Sequence, residues 1–220
     1  MDGMRADVLV AGGGLGGVAA ALAAADHGAR VVLTEETDWL GGQLTSQAVP
    51  PDEHPWIESF GCTASYRRLR DGVREHYRRW YPLTPNARDL AVLNPGAGLV
   101  STLCVEPRAA LAVLEAMLAP HRGAGRLRVL ARHRPVAAHA DGDHVRGVTL
   151  RDLDGGGEVH VEATYVLDAT ETGELLPLAG CEFVEGFEPA RDTGEPHAPA
   201  SAQPRNHQAV TWCFVLSHHD

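Results

Sequence analysis

Gly12, Gly14 and Gly17 stand in the order GxGxxG directly after the apolar run VLVA, and Glu35 stands 23 residues beyond Gly12, at the close of a second apolar run, VVLTE. Each position has its own chemical use. Gly12 lets the chain turn sharply out of a strand. Gly14 clears a side chain from where a pyrophosphate would touch backbone, and Gly17 lets a helix lie close on the sheet. The N-terminus of that helix carries about half a positive charge and several unpaired N–H groups, which favours an anion there. A carboxylate ending the second strand can accept both hydroxyls of an adenosine ribose. The spacing therefore predicts a dinucleotide-binding βαβ unit.

Composition narrows the remaining chemistry. All nineteen Lys-plus-Arg positions are arginine, so the chain has no Walker A lysine, no Schiff-base lysine and no Tyr-x-x-x-Lys pair. A formal charge of −10 argues against a nucleic-acid partner, which would need net basic surface. Cys62, Cys104, Cys181 and Cys213 are isolated; without CxxC spacing they suggest no metal knuckle, iron–sulfur cluster or redox disulfide, and buried reduced thiols are expected. The stretch MDGMRAD has no leader pattern and no apolar run is long enough to cross a bilayer, so a cytoplasmic protein without a membrane partner is expected.

The elements that must position these residues follow from periodicity. A helix rich in alanine runs from about Gly16 to His27, and Gly28 supplies a left-handed exit. Residues 36–63 read as an irregular segment of functional length. Tyr66, Leu69, Val73, Tyr77 and Trp80 recur at three- and four-residue steps, predicting an amphipathic helix over 65–80. Its other face carries Arg67, Arg68, Arg70, Arg74, Arg78 and Arg79, read either as a solvated face or as an anion- or partner-binding surface. Residues 82–101 read as a loop. Glu106 to Leu118 is a second helix with Pro107 in its first turn and Leu111, Leu114 and Leu118 on one face. A short strand at 127–130 precedes a hairpin, 135–139 with 145–150. Val159 to Val161 and then Tyr165 to Asp168, a buried strand, lead into DATETGEL at the carboxyl edge of the sheet, where ligands of open α/β sheets bind. An extended connector over 186–205 precedes a strand at 209–216, AVTWCFVL, whose free edge predicts association with a second copy or another polypeptide.

The segments VLVAGGGLGGVAAALAAADHGARVVLTEETDWLGGQLTSQ and YVLDATETGELLPLAG resemble the FAD-dependent oxidoreductases of the glutathione-reductase-like superfamily. Within it, the likeness is to the bacterial group that includes heterodisulfide-reductase-like and xanthan-lyase-associated flavoproteins, and it extends to WIESFGCTASYRRLR and TGEPHAPA. It implies an α/β fold: a Rossmann-like FAD-binding domain with a central parallel sheet and β-meander over 1–185, with 36–105 inserted. The beginning of a substrate domain, incomplete, would occupy 186–220.

It further implies FAD as cofactor, its pyrophosphate held by Gly12, Gly14, Leu15, Gly16 and Gly17 and its ribose by Glu35, in preference to Glu36. Gly41, Gly42 and Gln43 would pass the ribityl chain, Thr45 and Ser46 would approach the flavin, and backbone around Val136 would meet the adenine. Ala169, Thr170 and Gly173 would form the second motif, in which Glu171 departs from the usual ATG pattern. Beside the flavin, His54 is the candidate general acid or base against a structural reading, Cys62 is weighed as a redox thiol against core packing, and Glu174 is expected to stabilise the following helix. The implied activity is hydride or electron transfer to a small-molecule substrate. The alternatives are an FAD-binding part that needs a second polypeptide or further chain, and an NAD(P)-dependent enzyme of the same fold.

Overall fold

The structure is a computed structural model that describes residues 3–210 together with 213, 214 and 216. The predicted βαβ unit is present: β1 (Gly3–Ala11), α1 (Leu15–Asp26) and β2 (Val31–Glu35). The last three residues of β1 and all of β2 are buried, as strands covered on both faces must be. Gly28 leaves α1 with φ of 89°, the left-handed exit expected of it.

The chain then forms α2 (Ala64–Trp80), a single turn α3 (Pro85–Arg88) and α4 (Pro107–Gly123) before β3 (Leu127–Ala131). A meander follows: β4 (His133–Asp141), β5 (His144–Asp152) and β6 (Glu158–Asp168). Short turns α5 (Leu175–Leu178) and α6 (Ala190–Thr193) come last. One six-stranded sheet runs in the order β3-β2-β1-β6-β5-β4. β3, β2, β1 and β6 are parallel, and β5 and β4 join antiparallel. This is the mixed, mostly parallel α/β architecture expected from the motifs.

Two apolar clusters hold it. On one face, Val18, Leu22, Leu33, Leu69, Val73, Leu114 and Leu118 join α1, α2 and α4 to the sheet. On the other, Val148, Leu150 and Val161 of the meander cover Leu9, Val32 and Leu130. At roughly 1.5–3 kcal/mol per fully buried aliphatic side chain, these contacts dominate the fold's stability. Tyr77 pins α2 to the start of α4: its hydroxyl accepts from the Glu106 N–H at 2.9 Å.

Several expectations are corrected. The second predicted helix continues through Pro120 to Gly123, and His121 Nε2 anchors this last turn to Asp26 of α1 at 2.9 Å. The two predicted strands at 159–161 and 165–168 are one, β6, because its pairing with β5 over Glu158–Glu162 overlaps its pairing with β1 from His160 to Asp168. Tyr165 in it is 68% exposed rather than buried. The loop at 82–101 contains α3, and the connector contains α6 and a bridge between Phe187 and Gln203. The strand predicted at 209–216 lies partly outside the described residues; those of its members that are described form no regular strand.

Candidate functional site

The glycine motif separates into two kinds of glycine. A methyl group on Gly12, whose φ is +102°, would fall 2.1 Å from the Ala169 carbonyl oxygen, and one on Gly17 would fall 2.0 Å from that of Gly12. The crossing of β1, α1 and the second motif demands these two. A methyl on Gly14 would meet only Glu171, at 3.4 Å, and one on Gly16 nothing within 4 Å. The chain itself leaves those positions open, which is the space a diphosphate against backbone requires. The first turn of α1 has neither a side-chain cap nor an acidic residue, so its free N–H groups and positive dipole end remain available to an anion. The donor set and cleared space fit the diphosphate of a dinucleotide.

Glu35 is 7% exposed at the end of β2. One carboxylate oxygen accepts from the Gly13 N–H at 3.1 Å and the other from the Thr37 N–H at 2.8 Å. It therefore ties the glycine turn to β2 and borders a cleft shared with Thr34, Glu36, Arg134, Pro135 and Thr170. Gly13 has a role that the GxGxxG spacing does not assign, although the unbroken GGG is its signal: a methyl there would meet Glu35 Oε2 at 2.8 Å. Val136 lines a different cleft, with His139 and His160, while its neighbours His133, Arg134 and Pro135 reach the Glu35 cleft.

The second motif is organised by Asp168, which the motif pattern does not single out. Its Oδ1 accepts from both the N–H and hydroxyl of Thr170, at 3.0 and 2.6 Å, and its Oδ2 accepts from the Leu175 N–H at 3.0 Å. Thr170 Oγ1 accepts from the Glu174 N–H at 2.8 Å, and Gly173 takes φ of +70°. Asp168 and Thr170 thus cap the start of α5, the task expected of Glu174, whose side chain makes no cap. Ala169 N–H donates to Ala11 at 2.7 Å, locking the motif to β1.

The segment at 41–46 closes the opposite wall. Gly41, with φ of +110°, donates its N–H to the Gly13 carbonyl at 2.8 Å. Gly41, Gln43 and Leu44 line a second cleft with Leu15, Pro51 and Tyr66, which also reaches Gly14, Gly16 and Glu171; Gly42 abuts Gly14. Thr45 and Ser46 instead brace the turn: the Thr45 hydroxyl donates to the Leu40 carbonyl at 2.6 Å and that of Ser46 to the Gly42 carbonyl at 3.1 Å. His54 is engaged in its own loop. Its Nδ1 accepts from the Trp56 N–H at 3.2 Å, its Nε2 lies 3.4 Å from the Gly61 carbonyl, and Trp56 and Phe60 lie against its ring; it does not line the second cleft.

All four cysteines are free, Cys104 buried and Cys62 half-buried; Cys181 and Cys213 are exposed, contrary to the expectation of buried thiols, since both sit in irregular chain outside the two apolar clusters. Among the described residues no group of three His, Cys, Asp or Glu side chains is placed to hold a metal, and no helix is long and apolar enough to cross a membrane.

The arginine face of α2 is the largest correction. Arg70 and Arg74 are buried, at 0% and 4% exposure, while Trp80, placed by periodicity on the apolar stripe, is 66% exposed with the Arg79 guanidinium over its ring. The reason is a pair of acids in the irregular segment. Glu53 and Glu58 both pair with Arg70; Glu58 also accepts from Arg74, at 2.6 and 3.0 Å, and from the Thr102 hydroxyl at 2.9 Å. Tyr66, on the wall of the second cleft, donates its hydroxyl to Glu53; burial first, and then that carboxylate, push its phenol up. This network fixes residues 53–58 on α2 and so shapes the cleft.

Chiefly through Arg74, with Thr102 and Arg70 adding to it against partial burial, the Glu58 carboxyl is held down from 4.5 to about 2. A carboxyl depressed on folding stabilises above its unfolded pKa and loses that contribution as pH falls towards the folded one. The melting temperature should therefore fall between about pH 4.5 and about 2, and Glu58→Gln should start lower at pH 7 and fall less steeply; parallel pH profiles of the two proteins would contradict this.

The model of a family described as FAD dependent oxidoreductase matches residues 7–220. Sdh1 of Mycobacterium smegmatis, in complex with UQ1, superposes with a TM-score of 0.52 at 14% identity over 77% of this chain and 34% of that one. A geranylgeranyl bacteriochlorophyll reductase-like protein from Thermoplasma acidophilum gives 0.51 at 19% identity, over 82% and 43%. These two likenesses show the fold. A curated relative, N,N-dimethylglycine/sarcosine dehydrogenase of Chromohalobacter salexigens, is 48% identical over 50 residues, 23% of this chain and 7% of that protein. The chain spans less than half the length of each of these three proteins.

Proposed function

The chain belongs to the FAD dependent oxidoreductase family, whose cofactor is FAD, and from that premise we propose how its residues seat FAD and what reaction they serve. The diphosphate rests on the N-terminus of α1 between Gly12 and Gly17, with Leu15 and Gly16 in contact. Glu35 takes the adenosine ribose, and the adenine lies against the start of β4, at Arg134 and Pro135 rather than Val136. Gly41, Gly42 and Gln43 pass the ribityl chain towards the second cleft. Thr45 and Ser46 hold that turn in shape, and Ala169, Thr170 and Gly173 close the far side of the diphosphate. The observation that carries this reading is the openness of Gly14 and Gly16, two glycines of this turn that the fold itself does not require.

Bound FAD supplies hydride or electron transfer at its isoalloxazine ring. The protein's part is placement: the α1 dipole neutralises the diphosphate, Glu35 fixes the ribose, and the braced 41–46 turn sets the depth at which the flavin end emerges. A small-molecule substrate meets that end through the cleft bordered by Pro50, Asp52 and Tyr66. Kinship within the family with the heterodisulfide-reductase-like and xanthan-lyase-associated members rests on the WIESFGCTASYRRLR and TGEPHAPA segments. A reducing cytoplasmic setting is supported by four free cysteines.

If the adenosine half is bound as described, the chain should bind FAD at least about tenfold more tightly than FMN, a difference of about 1.4 kcal/mol or more, and ADP should compete with FAD in titration calorimetry. Equal affinity for FAD and FMN, or failure of ADP to compete, would remove the Glu35 cleft from the site.

A further inference from the structure

Glu171 stands where the two walls of the diphosphate site meet. Its Oε1 lies 3.4 Å from the methyl position of Gly14 and 2.7 Å from that of Gly42, so the carboxylate overhangs the start of α1. It borders both the Glu35 cleft and the second cleft, the boundary a diphosphate crosses between adenosine and flavin. Among the described residues it belongs to none of the ion pairs. α1 has no acid in its first turn and no side-chain cap, so its positive end faces this carboxylate from across the cleft, whose rim also carries Arg134.

Resting on the reading that FAD's diphosphate sits at that helix end, the geometry points to Glu171 as an internal anion that holds the diphosphate seat until FAD displaces it, and so sets how tightly the cofactor is retained. Two anions cannot share one helix terminus in a partly desolvated cleft without strong repulsion. The Glu171 side chain is exposed and long enough to swing into solvent, so the seat is weakened rather than blocked. Of the other acids that border these two clefts, Asp168 caps α5 and Glu35 holds the Gly13 turn.

The test is a fluorescence titration of flavin-stripped protein with FAD, comparing the unmodified chain, Glu171→Gln, Glu171→Ala, and Asp143→Asn as an exposed acid on the distant β4–β5 turn. Removing the competing charge should tighten FAD binding by about tenfold or more in Glu171→Gln, and Glu171→Ala should bind at least as tightly as Glu171→Gln. Asp143→Asn should match the unmodified chain. If the unmodified chain binds FAD and both Glu171 variants bind no more tightly, the competitor role is overturned while the cofactor site stands. An equal gain in Asp143→Asn would make the effect one of net charge and overturn it too. If none of the four proteins takes up FAD, the cofactor reading falls, and the role of Glu171 with it.

Discussion

Arg70→Ala should destabilise the fold by about 3–5 kcal/mol, the range found when one partner of a buried ion pair is removed. Arg70 is wholly buried, and its guanidinium holds two acids, Glu53 with a side chain 6% exposed and Glu58. Deleting it leaves Glu53 as a buried charge held, among the described residues, by the Tyr66 hydroxyl alone. Arg74 continues to hold Glu58, so the loss is concentrated at Glu53 and in the cavity left beneath residues 53–58. For a chain of this length the melting temperature should fall by roughly 6–20 °C. Arg68→Ala, on the exposed face of the same helix, should stay within about 0.5 kcal/mol. Equal, small effects of the two substitutions in thermal or urea unfolding would mean that the ion pairs do not hold the irregular segment.

Gly14→Trp should reduce FAD binding by about a thousandfold or more, equivalent to about 4 kcal/mol, while leaving the chain folded. A Cβ there meets only Glu171, at 3.4 Å, and Gly14 borders both clefts, so an indole directed into them fills the space assigned to the diphosphate. Gly17→Ala makes the opposite contrast. Its methyl would collide with backbone at 2.0 Å, which forces α1 off β1 and should lower stability together with binding. The pair separates a glycine kept open for a ligand from a glycine kept for packing, although both belong to one motif.

The parts of the fold legible in the sequence are those written in local spacing. The order of strand, glycines, helix and terminal acid specifies the β1–α1–β2 unit, because each of its constraints lies within about 30 residues, and at Gly12 and Gly17 only glycine fits. The Pro107 start of α4 and the Gly28 exit of α1 are equally local. What stays hidden depends on pairing across the chain. Arg70 and Arg74 read as surface residues because a helix pattern gives charge to the outer face by default; their burial comes from Glu53 and Glu58 in a segment with no period at all. Asp168 reads as no more than the last letter of a strand, although Thr170 two residues on is the sign of an Asx turn. Glu35 reads as a ribose ligand alone, whereas its hydrogen bonds to Gly13 and Thr37 show that it also builds the turn above it. The register of β4, which sends Val136 to one cleft and Pro135 to another, is set by irregularities in its pairing with β5 at Pro135/Ala137 and His139/Ala140, which periodicity cannot locate.

The central claim is that FAD lies across the open glycines of α1. It is tested most directly by the visible spectrum of the purified chain after incubation with FAD and removal of the excess, beside that of Gly14→Trp. The expected result is flavin bands in the unmodified chain, released as FAD on denaturation, and a colourless but folded Gly14→Trp with an unchanged far-ultraviolet circular dichroism spectrum. Equal flavin in both proteins would place the cofactor elsewhere and contradict the site.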